Sequence, residues 1–187
     1  IMALFRRRYE ENTQLLSILK FISDVCIVIV FAYALVTFTC DRTTLNGNSM
    51  ESSITSGDTV LINKMAYTLK SPSRYSVIAF QLHNTAGSKI YVKRVIGLPG
   101  ETVQIKNGHV YINGALLEDD ISDQNILTEG IVKSEVTLAD DEYFVLGDSR
   151  NNSEDSRFAS IGMIKEEDIL GSAWMISAPF DHIGLVK

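Results

Sequence analysis

Phe21 to Cys40 is a run of twenty residues in which only Ser23, Asp24, Thr37 and Thr39 are neither apolar nor small. At about 1.5 Å per helical residue, such a run spans the roughly 30 Å hydrocarbon core of a bilayer. A chain carrying it must bury the segment in lipid or in a large protein core. The remaining sequence reads as β-rich and has no second helix of matching length, which disfavours the core-helix reading. Ala32-Tyr33-Ala34 has the small-x-small form of a leader cleavage site, but the apolar run continues past it for several residues. The run therefore reads as an uncleaved transmembrane anchor over 21–40. Periodic Leu15, Leu16, Ile18 and Leu19 start the helix earlier, and Asp24 lies near one end, within reach of Lys20. Arg6, Arg7 and Arg8 precede the run and Asp41 follows it. This asymmetry places residues 1–20 in the cytoplasm and residues 41–187 outside, a single-pass topology.

Charge narrows the partners. The chain carries a formal charge of -6. Residues 1–40 hold four basic and three acidic groups, so residues 41–187 stand at -7. An acidic main domain argues against nucleic acid. Cys26 and Cys40, fourteen residues apart, would be separated by about 21 Å on one helix, too far for a disulfide. No cysteine follows Cys40, and His83, His109 and His182 are scattered without metal-ligand spacing. No metal and no cofactor are expected.

After the anchor, short β-branched stretches alternate with turn signals. Thr59–Lys64, Val77–Leu82, Ile90–Ile96, Thr102–Ile105, His109–Ile112, Tyr143–Leu146 and Gly171–Ile176 read as strands. Asn84–Ser88 reads as a turn, and Asp58 as a turn cap after Gly57. Asn107-Gly108 and Asn113-Gly114 are type I′ hairpin signals. Residues 115–135 are acidic and mixed and read as an exposed insertion, and Ile164–Leu170 as a helical turn. The expected fold is mainly β, an antiparallel barrel or sandwich over 41–187 with one N-terminal transmembrane helix.

Two stretches carry chemistry. Gly47-Asn48-Ser49-Met50 lets the backbone turn sharply and leaves a hydroxyl exposed. A serine hydroxyl needs an adjacent base to act as a nucleophile. In Tyr91-Val92-Lys93-Arg94-Val95-Ile96 a lysine sits in an apolar strand. Burial disfavours the ammonium form, so such a lysine can serve as that base. Strand alternation points Lys93 and Arg94 to opposite faces, so one of the two turns inward. No flanking residues make any histidine the partner of a Ser-His enzyme.

These stretches, with Gly57-Asp58-Thr59-Val60, Gly97-Leu98-Pro99-Gly100-Glu101 and Gly147-Asp148-Ser149-Arg150-Asn151-Asn152-Ser153-Glu154-Asp155-Ser156-Arg157, fall in the order of the boxes of type I signal peptidases. With the anchor, the chain resembles these bacterial leader peptidases, in their Gram-positive-like form, over nearly its whole length. The resemblance implies Ser49 as nucleophile and Lys93 as general base. It makes Ser153 the hydroxyl that orients the lysine amine and Asp155 and Arg157 a structural ion pair, with Asp148 and Arg150 holding the loop. The Ser49 N–H would meet the oxyanion. Gly47 stands where some members carry a helping hydroxyl. The chain departs from the family pattern at Ser52-Ser53, where Pro-Thr is usual. It departs again at Ser149, where Asn is usual, and in the spacing from Arg157 to Gly162. Ser52-Ser53 is expected to loosen the loop behind the nucleophile.

The implied substrates are exported preproteins, cut after small-x-small sites at the bacterial cell membrane. The cleavage region would add as a strand between Leu45–Ser49 and Ile90–Val92, over shallow pockets formed by Leu45, Met50, Tyr91 and Val92. The expected enzyme is a monomeric serine endopeptidase whose partners are preproteins and the bilayer. A membrane-anchored accessory homologue, for example in pilus assembly, is the alternative. A self-cleaving repressor-type Ser-Lys protease would need a DNA-binding segment where the membrane span stands.

Overall fold

The computed structural model describes residues 2–82, 89–118, 120–122 and 124–186, and side chains from residue 15 onward except that of Leu35. His83 and the turn read at Asn84–Ser88 lie outside the described residues. The chain divides into two units, residues 1–39 and 40–187.

The first unit is one helix, α1, Met2–Thr39. Helix thus extends through the segment that the arginines mark as polar. Leu15–Thr39 is long and apolar enough to cross a membrane, and among the described residues it is the one such helix. Leu15, Leu19, Phe21, Ile27, Val30 and Phe31 are all exposed. Thr37 Oγ1 donates within the helix, to the carbonyls of Tyr33 (3.0 Å) and Ala34 (2.9 Å). A hydroxyl satisfied in this way adds little cost in an apolar surrounding.

The second unit is built on two antiparallel sheets, the mainly β architecture expected from the sequence. The larger sheet runs in the order β1 (Cys40–Thr44), β2 (Thr59–Asn63), β11 (Ile169–Ala178), β3 (Val77–Phe80), β4 (Tyr91–Gly97), β9 (Glu142–Leu146) and β10 (Ile164–Lys165). A short β12 (Gly184–Leu185) pairs with β11. The smaller sheet runs β7 (Ala115–Leu116), β6 (His109–Ile112), β5 (Thr102–Lys106) and β8 (Val136–Thr137). Its hairpin turn is made by Asn107 (φ 53°) and Gly108 (φ 79°), the left-handed pair that a type I′ turn requires.

Side-chain alternation divides the core. Val77 and Ala79 of β3 pack with Leu45, Met50 and Ile54, whereas Ile78 and Phe80 pack on the other face with Val95, Tyr143 and Val145. A third cluster joins the smaller sheet to Ile96, Phe144 and Leu146. β4 lies between β3 and β9 and is covered on both faces, so every residue from Val92 to Gly97 is buried. This corrects the expectation that only one of Lys93 and Arg94 turns inward: they are 4% and 2% exposed. Alternation separates them by face, but both faces are interior.

Two further stretches differ from the sequence reading. β1 is an edge strand with mostly exposed polar side chains, so it lacks the apolar alternation that marks a strand. Residues 115–135 are not simply an exposed insertion. Ile126 and Val132 are buried in the third core cluster. The segment also braces the loop that follows β9: Leu127 N–H donates to Asn151 Oδ1 (2.9 Å), and Asn151 Nδ2 donates to the Asn125 carbonyl (2.9 Å).

Candidate active site

Ser49 lies on the turn between β1 and β2. The turn is closed by Ser53 N–H to the Met50 carbonyl (2.8 Å) and Ile54 N–H to the same carbonyl (2.7 Å). Met50 and Ile54 are buried beneath it and anchor it to the core. From β4, Lys93 reaches this turn, and its Nζ stands 2.6 Å from Ser49 Oγ. Burial pushes the Lys93 pKa down from 10.5 to about 8, despite the opposing attraction of Asp155, Glu154 and Asp148, and Lys89 pushes in the same direction as burial. A hydroxyl thus faces an amine that can release its proton near neutrality.

The segment after β9 carries the other residues singled out by the sequence. Asp155 and Arg157 form a two-point ion pair, Nε to Oδ1 at 2.8 Å and Nη2 to Oδ2 at 2.9 Å, both side chains buried. Asp155 Oδ2 also accepts the Gly147 N–H (3.1 Å). Arg157 Nη2 bonds the Arg150 carbonyl, which ties the loop across itself. Arg150 Nε donates to the Gly147 carbonyl (3.1 Å), and the rest of its guanidinium pairs with Asp120. Asp148 pairs with Arg94, Nε to Oδ1 at 2.7 Å and Nη2 to Oδ2 at 2.6 Å.

Gly147 is the point of closest approach. A Cβ there would lie 2.2 Å from Ser153 Oγ and 2.6 Å from the Ser49 carbonyl oxygen. The bare α-carbon lets the return loop pass directly behind Ser49. The next contact fixes that position, because Ser149 N–H donates to the Ser49 carbonyl (3.0 Å). Ser153 Oγ is buried here but makes no hydrogen bond, and the Lys93 amine bonds Ser49 Oγ. The bond from Ser153 to lysine that the resemblance implied is therefore not formed in this structure.

A cleft of about 460 Å³ opens beside Ser49 and Lys93, between residues 43–49 and 89–93. Leu45, Tyr91 and Val92 line it, with Glu154 at its edge. Met50 does not line it; it is fully buried below. Among the described residues no group of three or more His, Cys, Asp or Glu side chains is arranged to hold a metal ion.

Three residues of this network escaped the sequence reading. Arg94 was placed on the face opposite Lys93 and given no partner. Its alternation with Lys93 was visible, but the carboxylate that pairs with it comes from fifty-four residues away. Asp120 sits in a segment with no motif. Ser53 is expected from the sequence to loosen the loop, yet its Oγ donates to Asp148 Oδ2 (2.6 Å) and accepts from Arg94 Nη2 (2.9 Å). Asp58 does cap its turn, accepting the Thr55 N–H (2.8 Å), and also holds His182 Nδ1 at 2.8 Å.

An antiparallel β scaffold that brings a serine hydroxyl to a buried amine beside an open cleft defines a serine peptidase, a hydrolase. The family model described as signal peptidase, peptidase S26, matches residues 18–178. The chain belongs to the signal peptidases of peptidase family S26. It is 33% identical over 163 residues to the probable signal peptidase I-2 of Synechocystis sp., covering 84% of this chain and 72% of that one. It is 29% identical over 187 residues to signal peptidase I of Bacillus amyloliquefaciens, covering 95% and 97% of the two chains. A crystal structure of signal peptidase I from Enterococcus faecalis matches with a TM-score of 0.43 and 33% identity, over 56% of this chain and 97% of that one.

Proposed function

We propose that the chain is a membrane-bound endopeptidase that removes N-terminal signal peptides from exported preproteins, using Ser49 as nucleophile and Lys93 as general base. The observation that carries this reading is the 2.6 Å contact between a buried Lys93 Nζ and Ser49 Oγ at the wall of the cleft. In this reading residues 1–20 are cytoplasmic, 21–40 cross the bacterial membrane, and 41–187 form a monomeric peptidase domain outside. The substrate's cleavage region adds as an extended strand between Leu45–Ser49 and Ile90–Val92. Leu45, Tyr91 and Val92 leave room for small side chains.

The chemistry follows from the two groups. Neutral Lys93 takes the Ser49 proton as Oγ bonds to the scissile carbonyl carbon. The tetrahedral oxyanion meets the Ser49 N–H. The C–N bond then breaks, and the lysine ammonium gives its proton to the leaving amine, with the acyl group held as an ester on Ser49. Neutral Lys93 next takes a proton from water, which attacks the ester, and returns that proton to Ser49 Oγ. Ser153 Oγ, packed on Gly147 beside the Ser49 carbonyl, is the hydroxyl available to the amine when it becomes charged. Asp155 is committed to Arg157, so it braces the loop and does not take the proton.

The test is cleavage of a model preprotein by detergent-solubilised protein, beside Ser49→Ala and Lys93→Ala. The expected result is a cut after a small-x-small site by the wild type and none by either variant. Cleavage surviving in both variants would refute the assignment. An inactive wild type on several preproteins, with the anchor intact, would favour the accessory role.

A further inference from the structure

Ser53 sits four residues after the nucleophile, at the end of the same turn, and is half-buried. Its hydroxyl bridges the two members of a buried ion pair: it donates to Asp148 Oδ2 at 2.6 Å and accepts from Arg94 Nη2 at 2.9 Å. Each partner adjoins a residue that contacts or performs the chemistry. Arg94 follows Lys93 in β4. Asp148 precedes Ser149, whose N–H holds the Ser49 carbonyl at 3.0 Å. Three segments distant in sequence therefore meet at one hydroxyl: the nucleophile turn, the strand of the base and the return loop.

From this juxtaposition we infer that Ser53 is a positioning residue, which sets the Ser49 Oγ to Lys93 Nζ distance by locking the nucleophile turn to the Arg94–Asp148 pair. The inference rests on the Ser49–Lys93 reading above. The bond types make the lock stiff. Hydrogen bonds to charged partners are shorter and about twice as strong as neutral ones, and Ser53 makes one to a carboxylate and one to a guanidinium. Arg94 is itself held, because Nη1 also donates to the Tyr75 carbonyl (2.9 Å). Met50 and Ile54 hold the turn by apolar packing, and the Ser149 N–H holds the Ser49 carbonyl. The polar bridge ties the end of the turn to both β4 and the return loop. Ser53 does not line the cleft, so it governs the geometry of attack and not substrate contact. Ser52 provides a natural comparison, since it is the exposed neighbour of Ser53 on the same turn.

The experiment is steady-state cleavage of a small-x-small peptide by the full-length protein in detergent, for Ser53→Ala, Ser53→Thr, Ser53→Val, Ser52→Ala and Ser49→Ala, with melting temperatures for each. A misplacement of about 1 Å costs on the order of 10²-fold. Ser53→Ala and Ser53→Val should therefore lose roughly 10- to 100-fold in kcat, with KM within about twofold. Ser53→Thr, which keeps the hydroxyl, should recover most of the rate. Valine matches threonine in shape, so that pair separates hydrogen bonding from volume even where alanine disturbs folding. Ser52→Ala should behave as wild type. Wild-type kcat in folded Ser53→Ala, or equal losses in the threonine and valine variants, would overturn the inference. Activity surviving in Ser49→Ala would instead overturn the dyad reading itself.

Discussion

Lowering the Lys93 pKa from 10.5 to about 8 makes the peptidase's pH dependence a direct test of the general base. Burial is the largest cause of this preference for the neutral amine. At pH 7 about one amine in ten is neutral if the pKa is 8, against about one in three thousand at 10.5, so the fold raises the active fraction roughly 300-fold. The protonated lysine cannot accept the Ser49 proton. Therefore kcat/KM should rise about tenfold per pH unit below the midpoint and level off above about 8. The assay is kcat/KM on a small-x-small peptide across this range, which reports the free enzyme. Charge variants at the cleft edge give the sign a second check. Lys89 is cationic and disfavours the ammonium, so Lys89→Met should move the midpoint up. Glu154 favours the ammonium, so Glu154→Gln should move it down. Both side chains are exposed and line the cleft, so the midpoint and not the absolute rate is the quantity to compare. A profile flat through pH 8, a midpoint at the ordinary lysine value, or both variants shifting the midpoint oppositely to these directions would refute the reasoning.

Gly147→Ala places a methyl group 2.2 Å from Ser153 Oγ and 2.6 Å from the Ser49 carbonyl oxygen, which the Ser149 N–H also holds, so kcat should fall by about 10²-fold or more in the same peptide assay. Asp155→Asn leaves the buried Arg157 guanidinium without its carboxylate and should cost about 3–5 kcal/mol in chemical denaturation, with activity lost as the loop opens. His182 has its pKa raised, first by its hydrogen bond to Asp58. Its stabilising contribution is then full below the unfolded value of about 6.5 and lost as pH rises through the folded value. His182→Gln should lower the melting temperature at about pH 6 and leave it unchanged at about pH 9.

The parts of this molecule that could be read from sequence are those whose cause is local. The apolar run marks a helix because its length and composition suffice. Asn107-Gly108 marks a hairpin because a type I′ turn demands left-handed residues in that place. Ser49 and Lys93 stand out because their flanks form ordered motifs. What escaped depends on distant partners. β1 is a strand only because β2 supplies its hydrogen bonds, and its own side chains show no alternation. Asp120 matters only because Arg150 comes to it. Ser53 reads from sequence as a loss of loop rigidity, because a missing proline is a local signal and a hydroxyl's distant partner is not. In the structure that hydroxyl bonds Asp148, ninety-five residues away.

The proposed role of Lys93 and the ion pair of Arg94 follow from one strand's burial. Both cations are forced inside because β4 is covered on each face. Arginine stays charged under any ordinary condition, so its burial has to be compensated by a carboxylate, and Asp148 supplies one with two-point geometry. That pair draws the return loop to the strand and, through Ser53, draws in the nucleophile turn. Lysine can escape the same cost by losing its proton. Among the described residues no carboxylate forms a salt bridge with it: Asp155 is taken by Arg157, and the amine contacts the Ser49 hydroxyl. Pairing Lys93 with a carboxylate would raise its pKa and remove the base. Leaving Arg94 unpaired would destabilise the core. The order of the two residues along β4 is therefore not interchangeable: exchanging them would put a permanent charge against the serine and a titratable one in the brace.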